Sequence, residues 1–326
     1  MSTVFISYRQ TNEEQRQRVR AFAVGGVRGA AWLLIGSETM RTSLRLLRAG
    51  LVLALLAAPA VAHAQAPPAA AAVTVWTDLD YVPTAEYAAK KDRLDVYAPT
   101  GAKGAPVVVS IHGGALREGD KKEQAFVGQL LARAGFVGVV INYRLSPGVM
   151  HPAHVEDAAH AVAWARTHAA EYGGDPQKLF VIGHSAGAYL AALLVLDPKY
   201  LAAYQMSAKD LRGVVPVSAF FYVDRTGVAP DRPKDVWGTD PAAWKAASPA
   251  AYLRKDAPPM LLLYADGDAD WRRQQQADFQ ADMKKAGAST VETRMIAGRD
   301  HSSIWGRMKN ANDETAAAII AFIKAH

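Results

Sequence analysis

The chain has 326 residues, half of them hydrophobic and 21% charged, with no cysteine and a formal charge of +6. That length is ample for a full hydrophobic core, and the lack of cysteine excludes a Cys nucleophile, an iron–sulfur cluster and a thiolate zinc site. The positive charge is local: residues 1–64 hold eight of the 37 Lys and Arg and three of the 31 Asp and Glu, leaving 29 basic against 28 acidic residues, so nucleic-acid binding is not expected.

In chain order, "STVFISYRQTNEEQRQRVRAFA" resembles the first strand and helix of a TIR-type signalling domain. A lone strand and helix buries too little surface to fold, so residues 1–39 read as an extension outside any domain. From Met40 the pattern changes. Arg41, Arg45 and Arg48 precede an uncharged stretch from Ala49 to Ala62, and Ala62-His63-Ala64 then fits the small-x-small rule. This is the layout of a signal peptide over 40–64, cleaved after Ala64, and it implies a periplasmic or secreted protein. The apolar stretch is too short for a stable membrane span, which needs about 20 residues.

Residues 65–92 read as an alanine/proline tether with edge strands, and 93–326 as the main domain. Strands are expected at "VTVW", "RLDVYAP", "VVVSIH", "FVGVVINY", "LFVIGH", "GVVPVSAFF", "MLLLYAD" and "VETRMIA". Helices are expected near 121–134, 153–172, 186–196, 271–286 and 308–325. Several strands are continuously apolar, which marks a parallel sheet covered on both faces. The expected class is therefore α/β: a mostly parallel, doubly wound sheet of about eight strands with helices on both faces. The polar, Pro-rich segment 224–259 reads as a small lid-like insertion.

"LFVIGHSAGAYLAALL" carries the sharpest chemical signal. Gly183-His184-Ser185-Ala186-Gly187 fits G-x-S-x-G between a buried strand and a helix, where a turn can push a serine hydroxyl into the open. Small neighbours are needed there, and the helix that follows aims N–H groups at developing negative charge. A tight turn with an N-capping serine would look similar, so the surroundings decide. "VVVSIHGGALREGD" supplies Gly113-Gly114-Ala115 after a strand, in the manner of an oxyanion loop, with an alanine as its third residue. The expected oxyanion donors are the N–H groups of Gly114, Ala115 and Ala186.

"MLLLYADGDADWRRQQ" offers three carboxylates. Asp266 suits a turn and Asp270 suits the N-cap of a helix starting at Trp271. That leaves Asp268 to orient a histidine. His301, in "MIAGRDHSSIW", follows the last strand and completes the order Ser…Asp…His, with His301 as general base for Ser185. His112 and His184 read as structural or rim residues. His151, His154 and His160 lie with Glu156 and Asp157 at the start of a helix, and no metal or cofactor is expected to be needed.

These stretches, with "VVINYRLSP" and "HPAHVEDAAHAVAWARTHAAEYGGDPQKLFVIGHSAGAYLAALL", resemble the α/β-hydrolase superfamily. Within it they are similar to the bacterial feruloyl and acetyl-xylan esterase-like and arylformamidase-like group, across nearly all of 94–326. The resemblance implies a serine carboxylesterase acting on small-molecule or plant-polymer esters through an acyl-enzyme, with a formamide-cleaving enzyme or a non-catalytic binding module as alternatives. Leu116, Phe221, Tyr222 and Trp305 are the expected lining of the substrate groove. Oligomeric state is left open.

Overall fold

The computed structural model describes residues 72–84, 87–225, 231–310 and 312–326, all within one contact unit, Ala64–His326. The expected extension (1–39) and export segment (40–64) lie outside the described residues.

Eight strands form one sheet: β1 (Val73–Asp80), β2 (Arg93–Pro99), β3 (Ala105–Ile111), β4 (Val137–Ile141), β5 (Gly174–His184), β6 (Leu211–Val217), β7 (Met260–Gly267) and β8 (Val291–Asp300). Their order is β1-β2-β4-β3-β5-β6-β7-β8. β2 runs antiparallel to β1 and β4, and β4 through β8 are joined in parallel by way of β3. Each of the eight strands expected from an apolar run is present. Long β-branched runs favour extended backbone, and covering both faces removes the need for polar alternation.

The helices are α1 (Ala125–Arg133), α2 (Ala153–His168), α3 (Ala186–Leu196), α4 (Pro198–Ala202), α5 (Asp231–Trp237), α6 (Pro241–Ala246), α7 (Asp270–Lys285), α8 (Ser303–Gly306) and α9 (Glu314–Ala325). The strand period of two sorts the core into two layers. Val107, Val109 and Ile111 of β3, with Leu179 and Val181 of β5, pack with α2, α3 and α7. Val108, Phe180 and Ile182 point the other way, against α1 and α9. Every residue of α3 is buried, as a helix apolar all round requires.

Several boundaries differ from the sequence expectation, among them that of the helix expected over 153–172, which ends at His168, and that of β5, which starts at Gly174. The last helix starts at Glu314 rather than near 308, because the Asp313 side chain caps it by accepting from the Ala316 N–H. Lys121–Gln124 forms a separate 3₁₀ turn before α1. Asp270 is inside the first turn of α7, not its N-cap: its carboxylate pairs with Arg273, and Ala269 occupies the cap position.

The insertion over 224–259 carries α5 and α6 and is fastened to the domain. Trp237 Nε1 donates to Tyr189 Oη (3.2 Å), Tyr189 Oη donates to the Ala247 carbonyl (2.9 Å), and Arg117 pairs with Asp235 (2.8 Å).

Candidate active site

The elbow is built by sterics. Ser185 has φ 54 and ψ −113, a backbone state that side-chain-bearing residues avoid. A Cβ at Gly187 would come within 2.1 Å of the Ile111 carbonyl oxygen, and one at Gly183 within 2.4 Å of the Gly187 oxygen. Only a hydrogen fits at either place, which accounts for both glycines of the motif. Ser185 N–H donates to the Val217 carbonyl at 2.9 Å, fixing the turn against β6.

Ser185 Oγ lies 2.9 Å from His301 Nε2, and His301 Nδ1 lies 2.7 Å from Asp268 Oδ1. An ionised carboxylate only accepts, so Nδ1 carries the ring proton and the Nε2 lone pair faces the serine hydroxyl. The three side chains come from the ends of β5, β7 and β8. Asp268 is 2% exposed. Burial opposes its charge, but hydrogen bonds from His301, from Ser218 and from the Ala265 N–H outweigh that and hold its pKa below the ordinary value. Ser218 Oγ donates to Asp268 Oδ2 at 2.5 Å and the Ala265 N–H to the same oxygen at 3.0 Å.

Asp266 takes a different part. Its carboxylate accepts the N–H groups of Gly298 and Arg299 at 2.9 and 3.0 Å, closing the loop that leads to His301. Arg272, 8% exposed, donates to the Ser218 carbonyl (2.6 Å) and stands 3.7 Å from Asp268 Oδ1. Burial lowers its pKa to about 10, so it keeps its charge at neutral pH. Neither Ser218 nor Arg272 was singled out from sequence. A serine interrupting the apolar run "GVVPVSAFF" is the one signal that pointed there.

The loop after β3 lies across from the elbow. Among the described residues, no group accepts the N–H of Gly114 or Ala115, and the Ala186 N–H is in the first turn of α3, where no intrahelical acceptor exists. All three donors named from sequence are thus uncommitted. Gly114 has φ +107, and a Cβ on it would strike the Glu118 carbonyl oxygen at 2.0 Å. Ala115 and Leu116 follow at φ 54 and 63, so the loop keeps its left-handed path despite lacking a third glycine. A cleft of about 250 Å³ opens here, bounded by Gly113, Gly114, Glu118, Gln124 and His184. A Cβ on Gly113 would lie 3.3 Å from that of Ser185.

His112 and His184 are structural. His112 stacks on Tyr143 (4.3 Å), which donates to the His112 carbonyl (3.0 Å), and burial lowers the His112 pKa to about 4. His184 Nε2 donates to the His301 carbonyl at 2.7 Å and its ring stacks on Trp305 (5.5 Å). Burial, with the nearby His301, pushes His184 down to about 3, so it is neutral in use.

The expected groove lining is corrected in part. Phe221 is fully buried and stacks on Phe279 at 3.9 Å. Tyr222 donates to Asp282 at 2.7 Å, and Gln275 accepts both their N–H groups, so the two residues face α7 rather than the cleft. Leu116 is 1% and Trp305 4% exposed; Trp305 backs His184, and its indole N–H donates to Gln124. The helix-start residues also have partners of their own: His154 Nε2 donates to Ser146 Oγ (3.0 Å), His160 stacks on Tyr204 (4.9 Å), and Asp157 pairs with Arg144.

Residues 94–283 match the BD-FAE family. The chain belongs to that family. Within the BD-FAE match fall the elbow, the loop after β3 and Asp268, while His301 lies beyond it. The chain is 30% identical over 242 residues to esterase LipQ of Mycobacterium tuberculosis, covering 69% of this chain and 56% of LipQ. It thus spans a little over half the length of that relative. Among solved structures it is similar to esterase B from Lactobacillus rhamnosis (TM-score 0.68, 20% identity, 78% of this chain and 87% of that one). A truncated carbohydrate esterase from gut microbiota is also similar (TM-score 0.66, 22% identity, 78% and 96%). At these identities the likeness is one of fold, and the sheet order with its elbow is that of the α/β-hydrolases.

Proposed function

We propose that this chain is a serine carboxylesterase that cleaves small acyl or aryl esters through an acyl-enzyme. The observation that carries the reading is the unbroken chain of hydrogen bonds from Ser185 Oγ through His301 to Asp268, at 2.9 and 2.7 Å. Ser185 Oγ attacks the ester carbonyl carbon while its proton passes to His301 Nε2. Asp268 holds the imidazole in the right tautomer and stabilises the imidazolium. Negative charge growing on the carbonyl oxygen meets the N–H groups of Gly114, Ala115 and Ala186, each such donor being worth about 3 kcal/mol in the transition state. Collapse expels the alcohol, which takes the proton from Nε2. Water then repeats the sequence on the acyl-enzyme and releases the acid. The name of the similar LipQ, an esterase, points the same way.

Ser185→Ala should abolish hydrolysis of p-nitrophenyl acetate and labelling by a fluorophosphonate, with the fold intact. Undiminished turnover in that variant refutes the assignment. The reading includes export. Mass spectrometry of the protein recovered outside the cytoplasm should find Gln65 at its N-terminus, and an uncleaved chain there would count against it.

A further inference from the structure

The core layer beneath α1 and α9 opens to the surface at one cleft. The half-buried apolar residues packed on that layer are Phe126, Leu130, Ala134 and Ile320, and all four border a cleft of about 420 Å³. Its walls are α1, α9 and the turn after α8 that carries Met308, Lys309 and Asn310. It shares no lining residue with the cleft beside Ser185. The volume is in the range of small-ligand sites, about 300–1,000 Å³.

Shape and charge together select an occupant. Phe126, Leu130 and Ala134 recur every four residues, so they run along one face of α1 and its C-cap for about 12 Å. Buried Met308 and half-buried Ile320 complete a strip suited to an alkyl chain. The charged groups on the rim are of one sign. Arg133 and Lys309 are exposed, the lining includes no carboxylate, and neither cation has an acidic partner among the described residues. The Lys309 ammonium rests 5.1 Å over the Phe126 ring, which sets a positive charge at one end of the apolar strip. The side-chain amides of Gln129 and Asn310, also unpartnered among the described residues, add N–H donors. A cationic head would meet two like charges, and an uncharged one would gain little from either. None of the large exposed apolar side chains Val75, Met150 and Met295 borders the cleft. Its apolar surface is thus recessed and small, which suits a small molecule rather than a protein face or a bilayer.

We propose that this cleft binds an alkyl carboxylate of medium chain length. The carboxylate pairs with Lys309 and accepts from the Gln129 and Asn310 amides. Arg133, toward the other end of α1, adds attraction at longer range. The methylenes lie on the strip between α1 and α9 and leave water as they bind. Both cations are exposed, so the head group supplies selectivity more than affinity. Affinity comes from the chain, at up to about four-fold for each methylene fully buried.

The test titrates the full chain, isotopically labelled on its methionine methyl groups, with sodium octanoate. The NMR signal of Met308, assigned with Met308→Leu, reports on this cleft and should shift and saturate with a Kd in the millimolar range. Butyrate, four methylenes shorter, should bind about ten-fold or more weakly. Octyltrimethylammonium and octan-1-ol keep the tail and change the head, and both should bind less tightly than octanoate. Lys309→Gln should weaken octanoate about three-fold and leave octan-1-ol unchanged, and Arg133→Gln should have a smaller effect of the same sign. Both positions are exposed, so neither substitution disturbs the core. Ser185→Ala should bind octanoate like wild type, so failure of this site and failure of the nucleophile assignment are read separately. Three results overturn the proposal: a Met308 signal unmoved by octanoate up to about 20 mM, octyltrimethylammonium binding as tightly as octanoate, or an octanoate affinity unchanged when both cations are replaced by glutamine.

Discussion

Ser218 is the sharpest test of how the acid of the site is held. Its hydroxyl gives a 2.5 Å hydrogen bond to Asp268 Oδ2, deep in the fold, where both residues are 2% exposed or less. A hydrogen bond to a charged group contributes about 1.5–3 kcal/mol. Ser218→Ala removes that donor and leaves Oδ2 with the Ala265 N–H alone, at 3.0 Å. The variant should therefore lose about 2 kcal/mol of stability, which lowers Tm by about 6 °C for a domain of this size. The sign of its pH dependence follows from the depressed Asp268 pKa. Stability from a depressed carboxyl is present above the unfolded value of about 3.9 and is lost as pH falls through the folded value. The gap between wild type and variant should thus be widest near pH 7 and narrow below about pH 4. A looser carboxylate orients His301 less well, and a loss of about 1.4 kcal/mol in the transition state is a ten-fold fall in kcat with KM little changed. Thermal unfolding from pH 3 to 8 and initial rates on p-nitrophenyl acetate measure both. A kcat within two-fold of wild type, or a loss confined to KM, would refute the reasoning.

His184→Phe keeps the stack on Trp305 but loses the bond to the His301 carbonyl, and should cut kcat about ten-fold while circular dichroism stays native; an unchanged kcat would show that the bond positions nothing. Gly187→Ala forces a methyl to within 2.1 Å of the Ile111 carbonyl and 2.5 Å of the His112 carbonyl, so it should cost about 3 kcal/mol or more in urea unfolding. A midpoint equal to wild type would show that the elbow yields. His154, whose pKa burial lowers to about 3, binds a proton near pH 6.5 only when unfolded, so stability falls as pH drops between those values by about 1.4 kcal/mol per unit. His154→Gln should flatten the acid limb of the stability curve by that slope, read from Tm between pH 4 and 7.

Fold and elbow could be read from sequence because each has a local cause. Strands buried on two faces must be apolar throughout, so "VVVSIH" and "LFVIGH" declared themselves, and a helix such as "AGAYLAALLVL" has nowhere to go but inside. Gly183 is forced by a contact four residues along the chain and Gly187 by the neighbouring strand, and that signature survives in one dimension. Asp268 could be chosen over Asp266 and Asp270 because the flanking two had turn and helix-start duties, although Asp270 turned out to sit within the helix rather than cap it. Ser218 and Arg272 were not legible. Their work exists only once β6, β7 and α7 meet, some 50 residues apart in the chain. Phe221 and Tyr222 were misplaced for a related reason: an aromatic at the end of a strand is apolar whichever side it faces, and the choice toward α7 is made by Gln275.

The cost of the site shows in its backbone. Ala115, Leu116, Ser185 and Ser218 all hold left-handed φ values between 50 and 63. They follow the carboxyl ends of β3, β5 and β6, around the Ser185–His301–Asp268 chain. A non-glycine residue in such a state costs on the order of 1–3 kcal/mol and persists only where its surroundings over-determine it. Here the surroundings are the sheet itself. Ser185 N–H is bound to the Val217 carbonyl on β6 at 2.9 Å, and Ser218 N–H to the Leu263 carbonyl on β7 at 2.7 Å. Ser185 and Ser218 are thereby fastened each to the next strand in order, from β5 to β6 to β7, and the last of these delivers Asp268. The strand-to-strand register therefore sets the distance between hydroxyl and carboxylate. A one-residue slip between β6 and β7 would move Ser218 off Asp268 and turn its side chain to the opposite face of the sheet. That is why the strain at Ser185 and Ser218 is tolerated: relaxing it at either would require breaking a ladder that two full layers of core hold closed.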